Sequence, residues 1–180
     1  MAILIVNTLT DVVDANDGKL SLREAVAQAN GTVAADTILF ASALEGQTLT
    51  LTGGELVLRQ DATIDGDSDN NGTRVTLDGD DSSRIFRVQS EVSISDLTLV
   101  NGQGSGGDGG AILLGAYNTL TVNNCTIKDN ECGEFGYYGG GGAISAGMGA
   151  RLIVGNTTIS DNDALGGGGI LADVGSIVII

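Results

Sequence analysis

The chain has 180 residues, a net charge of −15, 29 glycines, and neither proline nor histidine. The negative charge argues against nucleic acid or an anionic membrane as a partner, and the absence of histidine excludes catalytic arrangements that use an imidazole base. No run of about 20 apolar residues occurs, so we also predict no membrane insertion. Divalent cations and basic surfaces remain compatible with this charge.

The first 45 residues are predicted to form an N-terminal cap that contains one amphipathic α-helix over 21–30. Ser21 and Glu24 have the spacing of a capping box, and Asn30-Gly31 is a typical helix end. The apolar stripe of this helix is Leu22, Ala25, Val26 and Ala29. Strands are predicted over 3–6, 37–40 and 48–52. Because an open stack of strands aggregates unless its end is covered, we expect the helix to lie over the first coil of strands.

An acidic turn follows, in which carboxylates alternate with other residues over 65–72. Calcium binds roughly six to eight oxygens from closely spaced side chains and carbonyls. The turn resembles the start of a calcium loop, but Thr76 stands where such a loop has its glutamate, so we predict that carboxylates one strand away complete the site. The predicted ligands are Asp65, Asp67, Asp69, Asp78, Asp80 and Asp81. A solvated acidic turn without an ion is the alternative.

Two other acidic segments resemble metal sites less closely. Polar residues precede the predicted helix at Asp11, Asp14, Asn16 and Asp17. Negative charge there stabilises a helix N-terminus without any ion. The segment Gly106-Gly-Asp-Gly-Gly110 is similar to one unit of a calcium-binding nonapeptide repeat, but a single unit does not predict a site without a tandem array.

From residue 86 onward, a cassette of three short strands recurs. Its third strands begin at 97, 125 and 157, and two copies contain the tetrapeptide GGAI, at 109–112 and 141–144. Each strand is apolar, polar, apolar, so its outer residues point one way and its middle residue the other. The inward columns are predicted to be Phe86, Ile112, Ile144, Ile170; Ile94, Val122, Val154; and Leu99, Ile127, Ile159. This periodicity predicts a parallel β-helix over 46–180, right-handed by the general rule for parallel crossovers.

The outward columns decide whether the repeats carry catalytic groups. They are predicted to be Arg87, Leu113, Ser145, Leu171; Ser93, Thr121, Ile153, Val178; and Thr98, Thr126, Thr158. None of the three columns has the acidic residues and the arginine or lysine base of a polysaccharide lyase, or the carboxylate pair of a glycosidase. We therefore predict no catalytic residue here. The threonine column alone would suggest ice binding, but its neighbours are mixed.

Polar residues recur at the turns between strands. Asn130 and Asn162 mark one turn, and Asp96, Asn124 and Asn156 another; we expect them to stack as ladders between coils. Cys125 falls in an inward column and is predicted to be a core residue, so a disulfide to Cys132 is not expected. Cys132 lies in a glycine-rich insertion over 131–140, which also has an aromatic cluster at Phe135, Tyr137 and Tyr138. This cluster is either a contact for a carbohydrate or protein ligand or a solvated loop.

The N-terminal segment resembles a known bacterial cap. Residues 6–25, which include Lys19-Leu-Ser-Leu-Arg-Glu-Ala25, together with Asp36-Thr-Ile-Leu-Phe40, are similar to the CSLREA-type segment, with Leu20 in place of its cysteine. Downstream, the GGAI copies followed by asparagine are similar to the repeats of chlamydial polymorphic outer-membrane proteins. The resemblance implies a cap before a pectate-lyase-like right-handed β-helix, in a large secreted or surface protein.

Two functions follow as expectations. The first is a non-enzymatic scaffold or adhesion module of a secreted or cell-surface bacterial protein, with calcium as a stabilising ion and a carbohydrate or protein as a surface ligand. The second is the N-terminal part of a polysaccharide-active enzyme whose catalytic coils lie beyond this chain. The last coil stops at Ile180 without a capping element, so we expect a fragment that associates end to end.

Overall fold

The computed structural model describes residues 1–104, 108–133 and 140–180. Within these ranges it has one α-helix and twenty strands, and all paired strands are parallel. The strands stack as a β-solenoid of about five turns, as predicted. No helix in the described residues is long and apolar enough to cross a membrane.

The strands follow one another coil by coil. The chain begins with β1 (Ile3–Val6) and helix α1 (Leu22–Asn30). The first two coils consist of β2 (Asp36–Phe40), β3 (Thr48–Thr50), β4 (Leu56–Leu58), β5 (Ala62–Asp65), β6 (Val75–Asp78) and β7 (Phe86–Val88). The third and fourth consist of β8 (Glu91–Ser95), β9 (Leu97–Val100), β10 (Gln103–Gly104), β11 (Ile112–Leu114), β12 (Thr119–Asn123), β13 (Thr126–Lys128), β14 (Glu131–Cys132) and β15 (Ile144–Ala146). The last consists of β16 (Arg151–Gly155), β17 (Thr158–Ser160), β18 (Asp163–Ala164), β19 (Ile170–Ala172) and the added strand β20 (Ile177–Ile179).

Equivalent strands of successive coils form four sheets. Sheet A has the order β1-β2-β5-β8-β12-β16-β20, sheet B has β3-β6-β9-β13-β17, and sheet C has β4-β7-β11-β15-β19. Within the described residues, sheet D consists of the two-residue strands β10, β14 and β18. Because β2 pairs with β5, part of the segment predicted as a cap shares sheet A with the coils.

The core is built from the inward columns, and the predicted columns are confirmed. Phe86 pairs with Ile112, which pairs with Ile144 and then Ile170, and the first three are fully buried. Burying one such aliphatic side chain contributes roughly 1.5–3 kcal/mol relative to exposure. Because similar inward side chains stack on one another from coil to coil, the coils share a continuous core. A single three-residue strand could not form such a core alone.

Helix α1 closes the N-terminal end of this core. Ser21 Oγ accepts the N–H of Glu24, and the Glu24 carboxylate accepts the N–H of Ser21, so the predicted capping box is present. The predicted apolar stripe is buried. The Asn30 side chain bonds the outer edge of sheet C: Nδ2 donates to Val57 O and Oδ1 accepts Arg59 N–H, each at 2.7 Å. Asn30 thereby pairs one polar group of β4 and one of the residue that follows this strand.

The glycines of the GGAI copies let two pieces of backbone approach closely. A β-carbon at Gly109 would overlap the carbonyl oxygen of Ile112, and one at Gly141 would overlap that of Ile144. Above this contact, Ser145 Oγ accepts the N–H groups of both glycines at 2.8 Å. Ser145 was predicted to face outward on sheet C, but the glycine segments cover it and leave it buried.

One predicted column position is wrong. Val178 was expected on the outward face of sheet A, but it pairs with the buried Leu152 and packs against the core, while Ile179 pairs with Ile153. The side-chain period of a strand is two, so an error of one residue in register exchanges its two faces.

Candidate functional site

The acidic turn lies between β5 and β6, where the chain passes from sheet A to sheet B. Three carboxylates meet there: Glu45, Asp67 and Asp69 each have an oxygen within 4.8 Å of the others. The sequence predicted Asp67 and Asp69 as neighbours. It missed Glu45, which belongs to the preceding coil and becomes a neighbour only when the coils stack.

Asp67 organises the turn itself. Its buried carboxylate accepts the N–H of Asn71 at 2.9 Å through Oδ1 and that of Gly72 at 2.7 Å through Oδ2. Asp69 Oδ1 also accepts the N–H of Asn71, at 3.1 Å. Short polar side chains that bond nearby backbone N–H groups hold turns of this kind in place.

Glu45 connects the turn to the coil before it. Its Oε2 accepts Asn71 Nδ2–H at 2.9 Å, and its Oε1 lies 3.4 Å from Ser68 Oγ. Ser68 Oγ in turn donates to Phe40 O at 2.9 Å. All three carboxylates therefore have hydrogen-bond donors from the protein, and they retain lone pairs for a hard cation.

The other four predicted ligands lie outside this group. Asp65 ends β5 and accepts the N–H of Asp67, and burial raises its pKa, with Asp96 and Asp67 as additional causes. Asp78 ends β6 and accepts Asp80 N–H and Asn101 Nδ2–H. Strand β6 thus separates Asp78, Asp80 and Asp81 from the acidic turn, since its four residues extend by roughly 13 Å.

The acidic residues before the helix bond to the protein. Asp11 is buried and receives both Nε and Nη2 of Arg23 at 2.8 Å, and its Oδ2 accepts the N–H groups of Thr52 and Gly53. Burial raises the pKa of Asp11, but the hydrogen bonds from Arg23 and the two N–H groups outweigh it, so the pKa is lowered. This pair fastens α1 to the loop before β4.

The remaining members of that segment form local turns. Asp14 Oδ1 accepts Asn16 N–H at 3.0 Å, and Asp17 Oδ1 accepts Lys19 N–H at 2.8 Å. Glu24 connects them to the helix start by accepting Asp14 N–H at 2.7 Å. These hydrogen bonds give Asp14 and Asp17 structural roles in local turns beside the helix start.

A second ion-pair cluster, which the sequence did not predict, lies on the outer side of sheet C. Arg84 is 4% exposed, and its Nη1 lies 2.7 Å from Glu55 Oε2. Its Nε donates to Gly109 O, which fastens the GGAI segment. Arg87 Nε lies 2.8 Å from Glu55 Oε1 as a charge contact that is not directed along its N–H. Arg87 therefore has a structural partner in Glu55.

A groove of about 290 Å³ crosses the outer face of sheet A. Its lining comprises Ala35, Asp61, Ala62, Thr63, Glu91, Val92, Ser93 and Thr121. Ser93 and Thr121 were predicted to face outward, but the column that contains Asp61 and Glu91 was missed. The signal was present in the sequence, because each acid precedes an outward hydroxyl by two residues and so shares its face.

The threonine column of sheet B is longer than predicted. Thr98, Thr126 and Thr158 continue through two earlier coils to Thr76 and Thr48. The neighbouring outward column is mixed and consists of Thr50, Asp78, Val100, Lys128 and Ser160. A flat surface with two threonines on every strand is therefore not formed.

Both cysteines are buried and free of disulfides. Cys125 lies in the core, and burial raises its pKa to about 11, which makes it a poor nucleophile at neutral pH. The aromatic cluster at Phe135, Tyr137 and Tyr138 lies outside the described residues, as do residues 106 and 107 of the glycine-rich segment 106–110.

No protein-family model, curated protein or solved structure matches the chain. The fold alone therefore defines its class, which is a parallel β-solenoid of about five turns with one helix. Within the part of the chain that the structure describes, the acidic turn and the sheet A groove both present polar groups that do not serve to stack the coils.

Proposed function

We propose that the protein is a rigid, non-enzymatic scaffold, the N-terminal part of a larger secreted or cell-surface bacterial β-helix protein of adhesion type. The observation that supports this proposal best is the bonding of side chains between coils. Asn130 Oδ1 accepts the N–H of Gly102, which lies one coil earlier, and Asn162 Oδ1 accepts the N–H of Asn130, again one coil earlier. Such ladders fix the spacing of coils that present loops to a partner.

The resemblance of residues 6–25 to the CSLREA-type segment supports the same proposal. The helix that begins in this segment, with Ser21 and Glu24 at its start, covers the end of the solenoid. We infer from the resemblance that the protein is exported and lies outside the cell. Fractionation of the source bacterium, with an antibody against this chain, tests the location, and detection only in the cytoplasm would contradict it.

The experiment that tests the scaffold proposal is an activity screen. The purified chain is incubated with acidic, neutral and basic polysaccharides, and new reducing ends and unsaturated products are measured. We expect neither. The alternative, a polysaccharide-active enzyme with catalytic coils beyond this chain, also predicts no cleavage by the chain but predicts cleavage by the full-length protein. Cleavage by the chain that disappears in Asp61→Asn would overturn the scaffold proposal directly.

We also propose that calcium stiffens the acidic turn. The proximity of Glu45, Asp67 and Asp69 supports this, since three carboxylates within 4.8 Å of one another repel and a divalent cation relieves that repulsion. We expect a higher unfolding midpoint with calcium than with EDTA. A ligand at a concentration of a hundred times its dissociation constant adds about 2.7 kcal/mol to the free energy of unfolding.

Paired variants locate the ion. Glu45→Gln with Asp69→Asn should abolish the calcium-dependent rise, whereas Asp80→Asn with Asp81→Asn should leave it unchanged. Asp67 is left intact, because its carboxylate also holds the turn in the absence of an ion. Identical unfolding midpoints with calcium and with EDTA would mean that the turn is a solvated acidic surface without an ion. Loss of the calcium-dependent rise in the unfolding midpoint only in the second pair of variants would place the ion at the other end of β6.

A further inference from the structure

The floor of the sheet A groove is a ladder of hydroxyl groups. Thr63 pairs with Ser93 and Ser93 with Thr121, on three adjacent coils. Successive strands lie roughly 4.8 Å apart, so the hydroxyls recur at this step. Each hydroxyl both donates and accepts hydrogen bonds. The floor therefore offers a regular set of donors and acceptors on a backbone that seven paired strands hold rigid.

Two carboxylates stand at one side of this floor. Asp61 and Glu91 immediately precede Ala62 and Val92, which are register partners, so the two acids lie on adjacent coils. Asp61 Oδ1 accepts the N–H of Glu91 at 3.0 Å, which orients its carboxylate. Within the described residues neither acid takes part in an ion pair, and no lysine or arginine lines the groove.

This lining restricts the ligand in two ways. Unpaired carboxylates repel acidic saccharides and attract a cation, and the hydroxyl floor matches a partner that itself carries many hydroxyls. A basic peptide would satisfy the charge but not the floor. Its backbone would also find no open strand edge, because the groove lies on a face where the strands are already paired.

We propose that the groove binds an amino-sugar unit of a basic oligosaccharide. The ammonium group lies between Asp61 and Glu91, and the ring hydroxyls bond the ladder of Thr63, Ser93 and Thr121. The volume of about 290 Å³ suits one sugar-sized unit. Both acids are exposed, and the groove binds the sugar without cleaving it, which the activity screen with polysaccharides tests. This proposal names a ligand for the scaffold proposed above and rests on it.

The test is a calorimetric titration of the chain with oligomers of equal length. We expect the glucosamine oligomer to bind, its N-acetylated form to bind more weakly, and the galacturonate oligomer not to bind. Asp61→Asn with Glu91→Gln should weaken glucosamine binding at least about tenfold, since hydrogen bonds to charged groups are lost. Added salt should weaken it as well.

A matched control is available on sheet D. Glu131 and Asp163 are also exposed register partners on adjacent coils, so Glu131→Gln with Asp163→Asn makes the same charge change away from the groove. It should leave binding unchanged. An equal loss in both double variants would mean that only net charge attracts the sugar and would overturn the proposal. Failure of the glucosamine oligomer to bind would also overturn it.

A second variant separates the sugar from a basic peptide. Thr63→Val with Ser93→Ala keeps both carboxylates and removes two hydroxyls from the floor. It should weaken glucosamine binding but leave the binding of a lysine oligomer unchanged. The other outcome is that the glucosamine and lysine oligomers bind the wild-type chain equally well and that the variant binds both as tightly as the wild type does. That result would identify a basic peptide as the occupant. The activity screen and the location of the native protein test the scaffold separately, so a failure of the groove leaves that proposal standing.

Discussion

Asn130 shows how one side chain fixes the distance between coils. It is 1% exposed, its Nδ2 donates to Leu99 O and Lys128 O, and its Oδ1 accepts Gly102 N–H. Neighbouring turn residues adopt left-handed backbone conformations, such as Asn124 with φ 54° and Asp129 with φ 56°. Asparagine and aspartate tolerate this region better than other residues with a side chain. Their recurrence in the sequence could therefore be interpreted as structural. The hydrogen bonds confirm the ladder of Asn130 and Asn162, whereas at the other turn Asn156 Nδ2 donates to Asn123 Oδ1.

Replacing Asn130 with alanine should lower the free energy of unfolding by about 2–4 kcal/mol, because several buried backbone groups lose their partners. Denaturant unfolding of the two proteins measures the difference. Asn118→Ala is the control, since Asn118 bonds only Ala116 O through its amide within the described residues, and it should cost about 1 kcal/mol or less. Equal effects would show that the ladder adds nothing to stability.

Two aspartates should respond to pH in opposite directions. The pKa of Asp11 is lowered from 3.8, so its contribution is present above this value and is lost as the pH falls through the folded-state pKa. The pKa of Asp65 is raised, so its ionised form costs stability as the pH rises through the folded-state value.

Denaturant unfolding at neutral pH and at about pH 3 checks this contrast. Asp11→Asn should lower the free energy of unfolding at neutral pH. It should also make the loss of stability on acidification smaller than in the wild-type chain. Asp65→Asn keeps the acceptor for Asp67 N–H, so it should raise stability slightly at neutral pH. A change of the same sign in the free energy of unfolding of both variants at neutral pH would contradict the causes assigned to the two pKa shifts.

At the scale of single elements, α1 and the longer repeat strands could be predicted because their apolar spacing is regular. The strands β10, β14 and β18 could not, since two residues of mixed polarity contain no periodicity. The same limit explains Glu45: its contact with the acidic turn depends on how the coils stack, and a pattern along the chain does not contain that information. The groove carboxylates were readable from alternation alone.

Asn30 connects two elements, and its removal should separate them. Asn30→Ala leaves Val57 O and Arg59 N–H at the edge of sheet C without their side-chain partner. We expect the free energy of unfolding to fall by about 1–3 kcal/mol. We also expect the rate of hydrogen exchange to increase more at β4 than at β12. Exchange that rises equally along the whole chain would show global weakening and not an opened edge.

At the scale of the whole molecule, the two ends differ. Helix α1 covers one end, whereas the inward residues Ile159, Ile170 and Val178 at the other are partly exposed, although their counterparts one coil earlier are almost fully buried. The strands β17, β19 and β20 have no further partner within the described residues. An open end of this kind pairs with other strands.

We therefore expect the purified 180-residue chain to associate through this end as its concentration rises, which sedimentation velocity measures. Thr158→Lys places a charge on the terminal strand of sheet B without touching the core and should suppress association. Thr48→Lys makes the same change in the same column at the covered end and should not. A strict monomer at high concentration would contradict the prediction.

The parallel stacking has a mechanical consequence. Every sheet continues from coil to coil, so its hydrogen bonds point along the long axis of the solenoid. A pulling force on the two ends would load these bonds one coil at a time and peel the protein open instead of shearing it. Each step would release a coil of about 30 residues, or roughly 100 Å of chain. A molecule anchored at one end and held at the other would thus lengthen in steps at low force and absorb a sudden pull.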